Sequence, residues 1–425
     1  MAVSAQTIGN GTGTPESAYA WLRLAASVLI GTIGSVGMWS YVVALPVVQA
    51  DFAVTRADAS LAYTLSMIGF GTGAVVIGGL IDRYGIVGPL IVSSLMLAFG
   101  FIASGLAPSL MIFTLANLLI GVGSSGVFAP LIADISHWFT RRRGIAVAVC
   151  SSGNYIGGAV WPPIVQHLIE TQGWRQNQIA IGFACLFTIL PLLLLLRRSL
   201  DTHQAEAADA SATGARAALG LNPYALFALL AIGGISCCVA MSMPQVHIVA
   251  YCGDLGYGVA RGAEMLSLMM GFGIISRIAS GFVADRIGGL ATLLIGSVMQ
   301  AAALLLYLMF DGLTPLYIIS ALFGLFQGGI VPMYAIVVRD YFPPRQAGTL
   351  VGLVITSTIF GMALGGWMSG AIFDLTGSYW QAFANGFVWN LLNIAIILLL
   401  MLRRRSRNLQ AIPQHGRGQP LPAPG

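Results

Sequence analysis

The sequence predicts an all-α integral membrane protein of about twelve transmembrane helices, arranged as two pseudo-symmetric six-helix halves. Three observations lead to this fold class: charged side chains are scarce, long apolar segments recur, and the two halves share sequence landmarks. Of the 425 residues, 57% are hydrophobic and only 8% are charged, whereas a soluble domain usually carries about 25% charged residues. Most of the chain must therefore meet apolar surroundings.

The apolar segments recur from Trp21 to Leu402. A helix that crosses the core of a bilayer needs about 20 apolar residues, and each segment is long enough for one. Residues 1–19 are small and polar, without the blocks of a cleavable signal, so the first helix is expected to direct insertion. The predicted helices span residues 21–47, 59–81, 86–106, 110–137, 144–168, 178–197, 222–251, 259–284, 289–310, 314–338, 347–373 and 381–402.

The basic residues indicate the orientation, because all 20 of them are arginines. If the N-terminus is cytoplasmic, sixteen arginines are cytoplasmic, in loops, linker and tail. Arg56, Arg175 and Arg261 lie on the opposite side, and Arg277 lies within a helix. This bias is a strong positive-inside signal. It predicts a multi-pass protein of the cell membrane, in a bacterium the inner membrane, with both termini cytoplasmic. The net charge of +5 is then a topology signal, and no nucleic-acid partner is expected.

An internal repeat divides the chain at a constant offset of 203 residues. The sequence GGLIDRYG of residues 78–85 resembles GFVADRIG of residues 281–288, and Gly121 falls on Gly324. Two parallel repeats around a central cavity are typical of transporters, whose solute site lies near the midplane. The predicted division is an N-terminal half (1–200), a cytoplasmic linker (201–220), a C-terminal half (221–402) and a cytoplasmic tail (403–425).

The two Gly-x-x-x-Asp-Arg-x-Gly segments resemble the loop signature of the major facilitator superfamily. In that family the loop's Asp and Arg interact with helix ends at the cytoplasmic gate. The resemblance therefore implies gating roles for Asp82, Arg83, Asp285 and Arg286. Residues 86–89 lack the basic residues usual after the first copy, so weaker gate contacts are expected there. The alternative is a tight turn that only caps two helices.

A narrower resemblance begins in the fourth helix. Residues 121–130, 138–146 and 152–158 resemble the helix 4 to helix 5 region of the monocarboxylate transporter and oxalate:formate antiporter branch. Arg277, eight residues before Asp285, matches the carboxylate-binding arginine of that branch. The resemblance implies a small organic anion as the transported partner.

Arg277 supports the same prediction through its position. Eight helical residues place it about 12 Å from Asp285, where an arginine is costly unless it faces a cavity or a partner. Its planar guanidinium fits a carboxylate bidentately. The repeat partner of Arg277 is Ala74, so the fold itself does not require a cation here. The alternative is an ion pair with a buried acid. All fifteen acids lie in loops, tails or at helix ends, and Asp134, near the cytoplasmic end of its predicted helix, comes closest to being a buried acid.

Further substrate-binding candidates are aromatic or polar residues predicted to face the cavity. By resemblance, Tyr334 matches a substrate-facing tyrosine, whereas Phe128 stands where the branch commonly has another tyrosine. His247 could donate to the substrate, hold a proton near neutral pH, or simply bond to a carbonyl. The others could equally form interhelical hydrogen bonds. The candidates beside Arg277 are Tyr334, His247, Asn154, Tyr155, Tyr41 and Phe128, with Trp39 next to Tyr41.

The sequence does not decide which ion or exchange partner drives transport. Proton-coupled members of the branch carry a lysine on helix 1 and an acid four residues before the arginine, where this chain has Gly273. The oxalate type adds a second cation on helix 11, where residues 356–358 are neutral. One fixed positive charge predicts a monoanion. Proton symport, anion exchange and uniport remain, and proton-coupled uptake is favoured.

The predicted function is secondary active transport of a small organic monocarboxylate by alternating access. The alternative is an efflux pump of the same fold for hydrophobic or amphipathic compounds, and a solute-binding receptor is a second alternative. An enzyme is not expected, because the sequence has no nucleophile–base set, metal cluster or phosphate loop. No cofactor or metal is predicted, the surrounding partner is the lipid bilayer, and a monomer is the default for this fold.

Overall fold

The computed structural model describes residues 16–139, 142–198, 221–342 and 344–410. The predicted linker 201–220 and the last part of the predicted tail lie outside these ranges. Within them the chain forms α-helices joined by short turns, without a strand. The helices are α1 (Ala18–Gly34), α2 (Val36–Phe52), α3 (Arg56–Tyr84), α4 (Val87–Gly105), α5 (Leu110–Gly126), α6 (Ala129–Trp138), α7 (Arg143–Gln172), α8 (Trp174–Leu193), α9 (Pro223–Asp254), α10 (Val259–Ile287), α11 (Gly289–Met309), α12 (Leu313–Gln327), α13 (Ile330–Tyr341), α14 (Pro344–Thr376) and α15 (Tyr379–Gln410).

Three of the predicted helices are interrupted, so that fifteen helices form twelve spans in the described part of the chain. The breaks separate α1 from α2, α5 from α6, and α12 from α13. Pro130 and Pro332 lie in the first turns of α6 and α13, where a residue without an N–H group can begin a helix. Eleven spans of the described residues are long and apolar enough to cross a membrane. The twelfth span, α7, is long enough with 30 residues, but it is too polar to meet the same criterion.

Several helices extend beyond their predicted ends because the polar residues after an apolar segment stay helical. Helix α10 includes Asp285 and Arg286 and ends at Ile287. The next residue, Gly288, has a φ of +87°. Gly85 ends α3 in the same way, with a φ of +76°. This left-handed conformation favours glycine. The Asp-Arg motifs therefore form the last turns of two helices rather than free loops, and α15 likewise continues past residue 402 to Gln410.

The sequence repeat corresponds to a repeat of helix packing. A methyl group on Gly121 would lie 1.9 Å from the carbonyl oxygen of Ser66, and one on Gly324 would lie 2.0 Å from that of Met269. Ser66 and Met269 are also 203 residues apart. The contact of α5 with α3 thus recurs as the contact of α12 with α10, and glycine at both places lets the backbones touch.

The two halves meet along α3 with α14 and α7 with α10. We call the side where α1 begins and α15 ends the terminal side, and the other the opposite side. Near the opposite side the halves touch, since a Cβ on Gly370 would lie 3.0 Å from the carbonyl oxygen of Arg56. Toward the terminal side they separate: a Cβ on Gly71 of α3 would meet Thr356 and Ile359 of α14, whereas a Cβ on Gly78 or Gly352, further along the same two helix faces, would meet no described atom within 4 Å. A cleft between the halves therefore opens toward the terminal side.

Candidate functional site

Arg277 lies on α10 where the two halves meet. Its Nε donates to the carbonyl oxygen of Gly328 at 3.3 Å, and its Nη1 donates to that of Ser151 at 3.2 Å. Gly328 belongs to the same half, at the break after α12, whereas Ser151 lies on α7 of the other half. The side chain is partly buried, and one helical turn further Gly281 already faces open space. Arg277 therefore stands at the closed end of the cleft.

An aromatic ring supports the Arg277 guanidinium from the other half. The guanidinium carbon lies 4.3 Å from the ring centroid of Tyr155 on α7, within the range of a cation–π interaction. The ring fits because residue 273 has no side chain: a Cβ there would lie 2.4 Å from Cε1 of Tyr155. Gly273, which stands where proton-coupled members of the resembled branch have an acid, thus provides the space for this ring.

No acidic side chain in the described residues forms an ion pair with Arg277. The four ion pairs found there are Arg23–Asp134, Arg56–Asp254, Arg175–Asp51 and Arg261–Glu264. Asp134, the candidate for a buried acid in the sequence, accepts from Nε and Nη2 of Arg23 at 2.7 and 2.8 Å. In the part of the chain that the structure describes, the Arg277 guanidinium contacts two carbonyl oxygens and one ring face, so its position favours an anionic ligand.

Two buried polar atoms near this stretch lack a partner among the described residues. They are Oδ1 of Asn154, next to Tyr155 on α7, and Nε1 of Trp39 on α2. The indole packs against the same face of α7, because a Cβ on Gly158 would lie 3.0 Å from Nε1. A buried polar atom without a hydrogen bond is costly. Residues 151–158 of α7, residues 270–277 of α10 and Trp39 together form the candidate site.

His247 lies elsewhere, fully buried on α9 near the opposite side. Its Nε2 contacts the carbonyl oxygen of Gly366 at 2.8 Å, and its Nδ1 contacts the hydroxyl of Tyr379 at 3.0 Å. Both ring nitrogens are thus used within the C-terminal half. The structure does not bring His247 to the Arg277 site.

Sequence reasoning missed a network around Arg56 that joins the two halves on the opposite side. Arg56 Nη1 donates to Asp254 at 2.7 Å and to the hydroxyl of Tyr379 at 2.6 Å, while Nε donates to Gln49 at 2.7 Å. The Asp374 carboxylate also accepts from the backbone N–H of Arg56 at 2.9 Å. Arg56 was counted only as a topology charge. Apart from Gln49, its neighbours come from three helices that are distant in the sequence, so they could not be inferred.

Tyr334 lies inside the C-terminal half, with 1% of its surface exposed. Its hydroxyl donates to Oδ1 of Asn393 at 2.6 Å, and Nδ2 of Asn393 donates to Ser297 at 2.9 Å. In this conformation the phenol links α13 to α15 and is not in contact with Arg277.

Tyr41 and Phe128 also make contacts within the N-terminal half. The Tyr41 hydroxyl donates to the carbonyl oxygen of Ala59 on α3, and its ring packs against Phe113. Phe128 precedes α6 at the break in its span, with its ring 6.2 Å from that of Phe70. Phe128 is only partly buried, so an apolar surface forms at this break.

The predicted gating residues lie on the terminal side, where the halves are apart. Asp285 and Arg286 are exposed, and the Arg83 guanidinium lies 5.4 Å from the Tyr84 ring. The Asp82 side chain is outside the described part. None of the four ion pairs between described side chains includes these residues, and their gating role stays a prediction.

Proteins similar in sequence to this chain include monocarboxylate transporters and an efflux protein. Monocarboxylate transporter 11 of Mus musculus is 27% identical over 387 residues, which cover 87% of this chain and 85% of the relative. Monocarboxylate transporter 13 of Rattus norvegicus is 23% identical, with 88% and 86% covered. The agnestins efflux protein AgnL12 of Paecilomyces divaricatus is 26% identical, with 77% and 74% covered.

The fold also matches a solved structure, that of a bacterial homologue of the human lysosomal transporter Spinster in an inward-facing and occupied conformation. The TM-score is 0.69 at 16% identity, and the match covers 93% of this chain and 97% of the other. The family model of the Major Facilitator Superfamily matches residues 27–320 and 279–423. The predicted fold and family are thereby confirmed: the chain belongs to the Major Facilitator Superfamily and is a multi-pass membrane transporter, not an enzyme.

Proposed function

We propose that this transporter moves a small organic monocarboxylate, bound by Arg277 at the closed end of the cleft. The observation that carries the proposal is the state of that guanidinium: it is partly buried between the halves without an acidic partner among the described residues. A carboxylate is the planar anion that a guanidinium binds in paired fashion. The relatives named monocarboxylate transporters support the same substrate class.

The proposal also gives roles to the neighbours of Arg277. Tyr155 supports the guanidinium, whereas Trp39 and Asn154 offer an N–H donor and an amide oxygen to the rest of the substrate. Arg277 is the one fixed charge on this stretch of α10, which favours a monoanion. In this proposal Tyr334, Tyr41 and Phe128 shape the helices around the site rather than bind the carboxylate.

The cleft gives the direction of access. With the termini in the cytoplasm, as the arginine bias predicts, the described conformation is open to the cytoplasm and closed on the other side. Rocking of the two halves about α3–α14 and α7–α10 then alternates access to Arg277. We favour proton-coupled uptake by a monomer, with anion exchange and uniport as the other modes.

An efflux pump for hydrophobic or amphipathic compounds is the second candidate. The exposed surface of Phe128 beside Phe70, together with the relative named an efflux protein, favours it. In this alternative Arg277 holds the halves together through Ser151 and Gly328 and binds no anion.

Transport into proteoliposomes distinguishes the two candidates. We would compare uptake of radiolabelled lactate, pyruvate and larger monocarboxylates by the wild type and by Arg277→Ala, Arg277→Lys and Arg261→Ala. Arg261→Ala is the matched control, because its ion pair with Glu264 lies exposed away from the site. Loss of a buried charged contact costs about 2 kcal/mol or more, so Arg277→Ala should reduce uptake at low concentration by about 30-fold or more.

The lysine variant tests the geometry, since it keeps the charge but loses the paired donors, and it should recover only part of the uptake. If no monocarboxylate moves, or if Arg277→Ala transports as well as the wild type, the carboxylate proposal fails. The efflux candidate would then be tested with fluorescent amphipathic compounds.

A further inference from the structure

We propose that His247 is a proton-binding site whose occupancy is linked to the contact that closes the opposite side of the molecule. The inference deepens the proposed function, because it assigns a group to the proton in proton-coupled uptake. It rests on contacts around Arg56, however, and uses no feature of the Arg277 site.

The hydrogen bonds around His247 have one consistent direction. The Gly366 carbonyl can only accept, so Nε2 of His247, 2.8 Å away, carries the hydrogen. In a neutral imidazole Nδ1 then accepts, and its partner at 3.0 Å is the hydroxyl of Tyr379. The same hydroxyl accepts from Nη1 of Arg56 at 2.6 Å. The chain of donors thus runs from Arg56 through Tyr379 to His247 and on to Gly366.

A second proton on His247 is incompatible with this chain. Nδ1 would become a donor, and the Tyr379 oxygen would have to accept from two cations, the imidazolium and the Arg56 guanidinium. The phenol would also have to turn its own hydrogen away from its present acceptor. The two cations would be separated by one oxygen atom in a fully buried place, where like charges repel strongly. Protonation of His247 therefore opposes the contact between Arg56 and Tyr379.

That contact joins the two halves. Arg56 and Gln49 belong to the N-terminal half, whereas Asp254, Tyr379 and Asp374 belong to the C-terminal half. Releasing Arg56 from Tyr379 weakens closure of the opposite side. Because the closed state requires neutral His247, protonation favours the state that is open on the opposite side.

The other groups around His247 do not remove this antagonism. Arg56 opposes the imidazolium, and the two acids of the Arg56 network, Asp254 and Asp374, are already engaged by Arg56 and by the start of α3. The charged groups that act on His247 in the described structure are Arg56 on α3 and Asp374 on α14, and the Tyr379 hydroxyl on α15 contacts its ring. Tyr63 lies against Gly366, and the Tyr251 ring packs against that of Tyr379.

The distance between the halves on the opposite side tests the proposal. Spin labels would be placed at Pro108→Cys and Asp311→Cys, two exposed loop positions that are equivalent in the repeat. The five native cysteines are buried in the described structure. Label distances would be measured on the full-length protein in lipid nanodiscs between about pH 8 and about pH 5.5, a range that extends below the ordinary pKa of histidine while exposed carboxylates stay mostly ionised.

In the wild type, a population with a longer distance between the two labels should appear at the lower pH. One linked proton changes the ratio of two states by up to about tenfold per pH unit. His247→Gln should abolish this response, and so should Tyr379→Phe, which keeps the ring but removes the shared hydroxyl. The control His167→Gln changes an exposed histidine on α7 and should respond like the wild type.

A response that persists in His247→Gln, or a wild type without any response in this range, overturns the proposal. If His247→Gln does not fold, Tyr379→Phe decides in the same way. The measurement needs no transported acid and is repeated in Arg277→Ala. A pH response that remains there supports the His247 site even if monocarboxylate transport fails.

Discussion

The ring of Tyr155 occupies the space that any side chain at position 273 would need, with Cε1 lying 2.4 Å from where a Cβ on Gly273 would be. The same ring supports the guanidinium of Arg277, four residues along α10. The ring and the guanidinium come from different halves. The geometry of the cation is therefore complete only when α7 and α10 are in contact, so binding of the proposed anion is expected to depend on the conformation of the transporter.

Adding one methyl group at position 273 should disturb this contact. In Gly273→Ala the Tyr155 ring must move, and loss of a cation–π contact of about 1 kcal/mol should raise KM for the anion roughly fivefold. Uptake kinetics in proteoliposomes measure the change. Gly271→Ala is the control on the same helix, because its Cβ would meet nothing within 4 Å. Equal KM values for the two variants would show that the ring does not position Arg277.

Removing the Tyr334 hydroxyl should affect stability more than transport. Tyr334→Phe loses the bond to Asn393 and leaves a buried amide oxygen unpaired, which should cost about 1–2 kcal/mol of unfolding free energy. KM for the anion should stay within about twofold of the wild-type value. Thermal unfolding in detergent and uptake kinetics check the two parts. A large rise in KM without a change in Tm would instead assign the phenol to the substrate.

Breaking the Arg23–Asp134 pair should strongly destabilise the N-terminal half. Arg23 is 1% exposed, and it also donates to the carbonyl oxygen of Leu196 at 2.9 Å. Arg23→Ala leaves a largely buried carboxylate unpaired and should cost about 3 kcal/mol. Arg261→Ala, which breaks an exposed pair, should cost less than about 1 kcal/mol. Equal shifts in Tm would contradict this ranking.

Asp374 should stabilise the closed state, because its carboxylate accepts from the backbone N–H groups of Arg56 and Ala57 at 2.9 and 2.6 Å. These groups begin α3, where a negative charge is worth about 0.3–1 kcal/mol. Asp374→Asn should therefore shift the label pair on the opposite side toward the longer distance at constant pH. Asp58→Asn removes a charge from the same helix end without an inter-half contact, and it should leave the distance unchanged.

The sequence was informative where a single property decides the structure. Apolar segment length is sufficient to count the spans, because a bilayer imposes a minimum length on each helix. Gly121 and Gly324 marked the repeat because only glycine allows those helix contacts. Arg277 stood out because its place within a membrane-spanning helix is unusual for a charge. These predictions did not require knowledge of which residues touch across the molecule.

The remaining features depend on tertiary contacts between distant residues. The sequence shows that Asp134 lies near a helix end, but not that its partner is Arg23, 111 residues away along the chain. The support of Arg277 by Tyr155 requires the register of α7 against α10, which no local pattern encodes. Arg56 lies at the start of its span, so its charge was attributed to topology although its guanidinium joins both halves. Pro130 was visible in the sequence, but a helix break at this position depends on packing around it.

The Arg56 network has a further consequence, because its charges are divided unequally between the halves. The N-terminal half contributes a guanidinium and the amides that begin α3, and the C-terminal half contributes the carboxylates of Asp254 and Asp374. Opening this side separates a positive rim from a negative one and exposes both to the medium. Mobile ions screen such exposed charges more strongly as their concentration rises. We therefore expect the ionic strength of the medium to influence which way the transporter faces, independent of the solute that it carries.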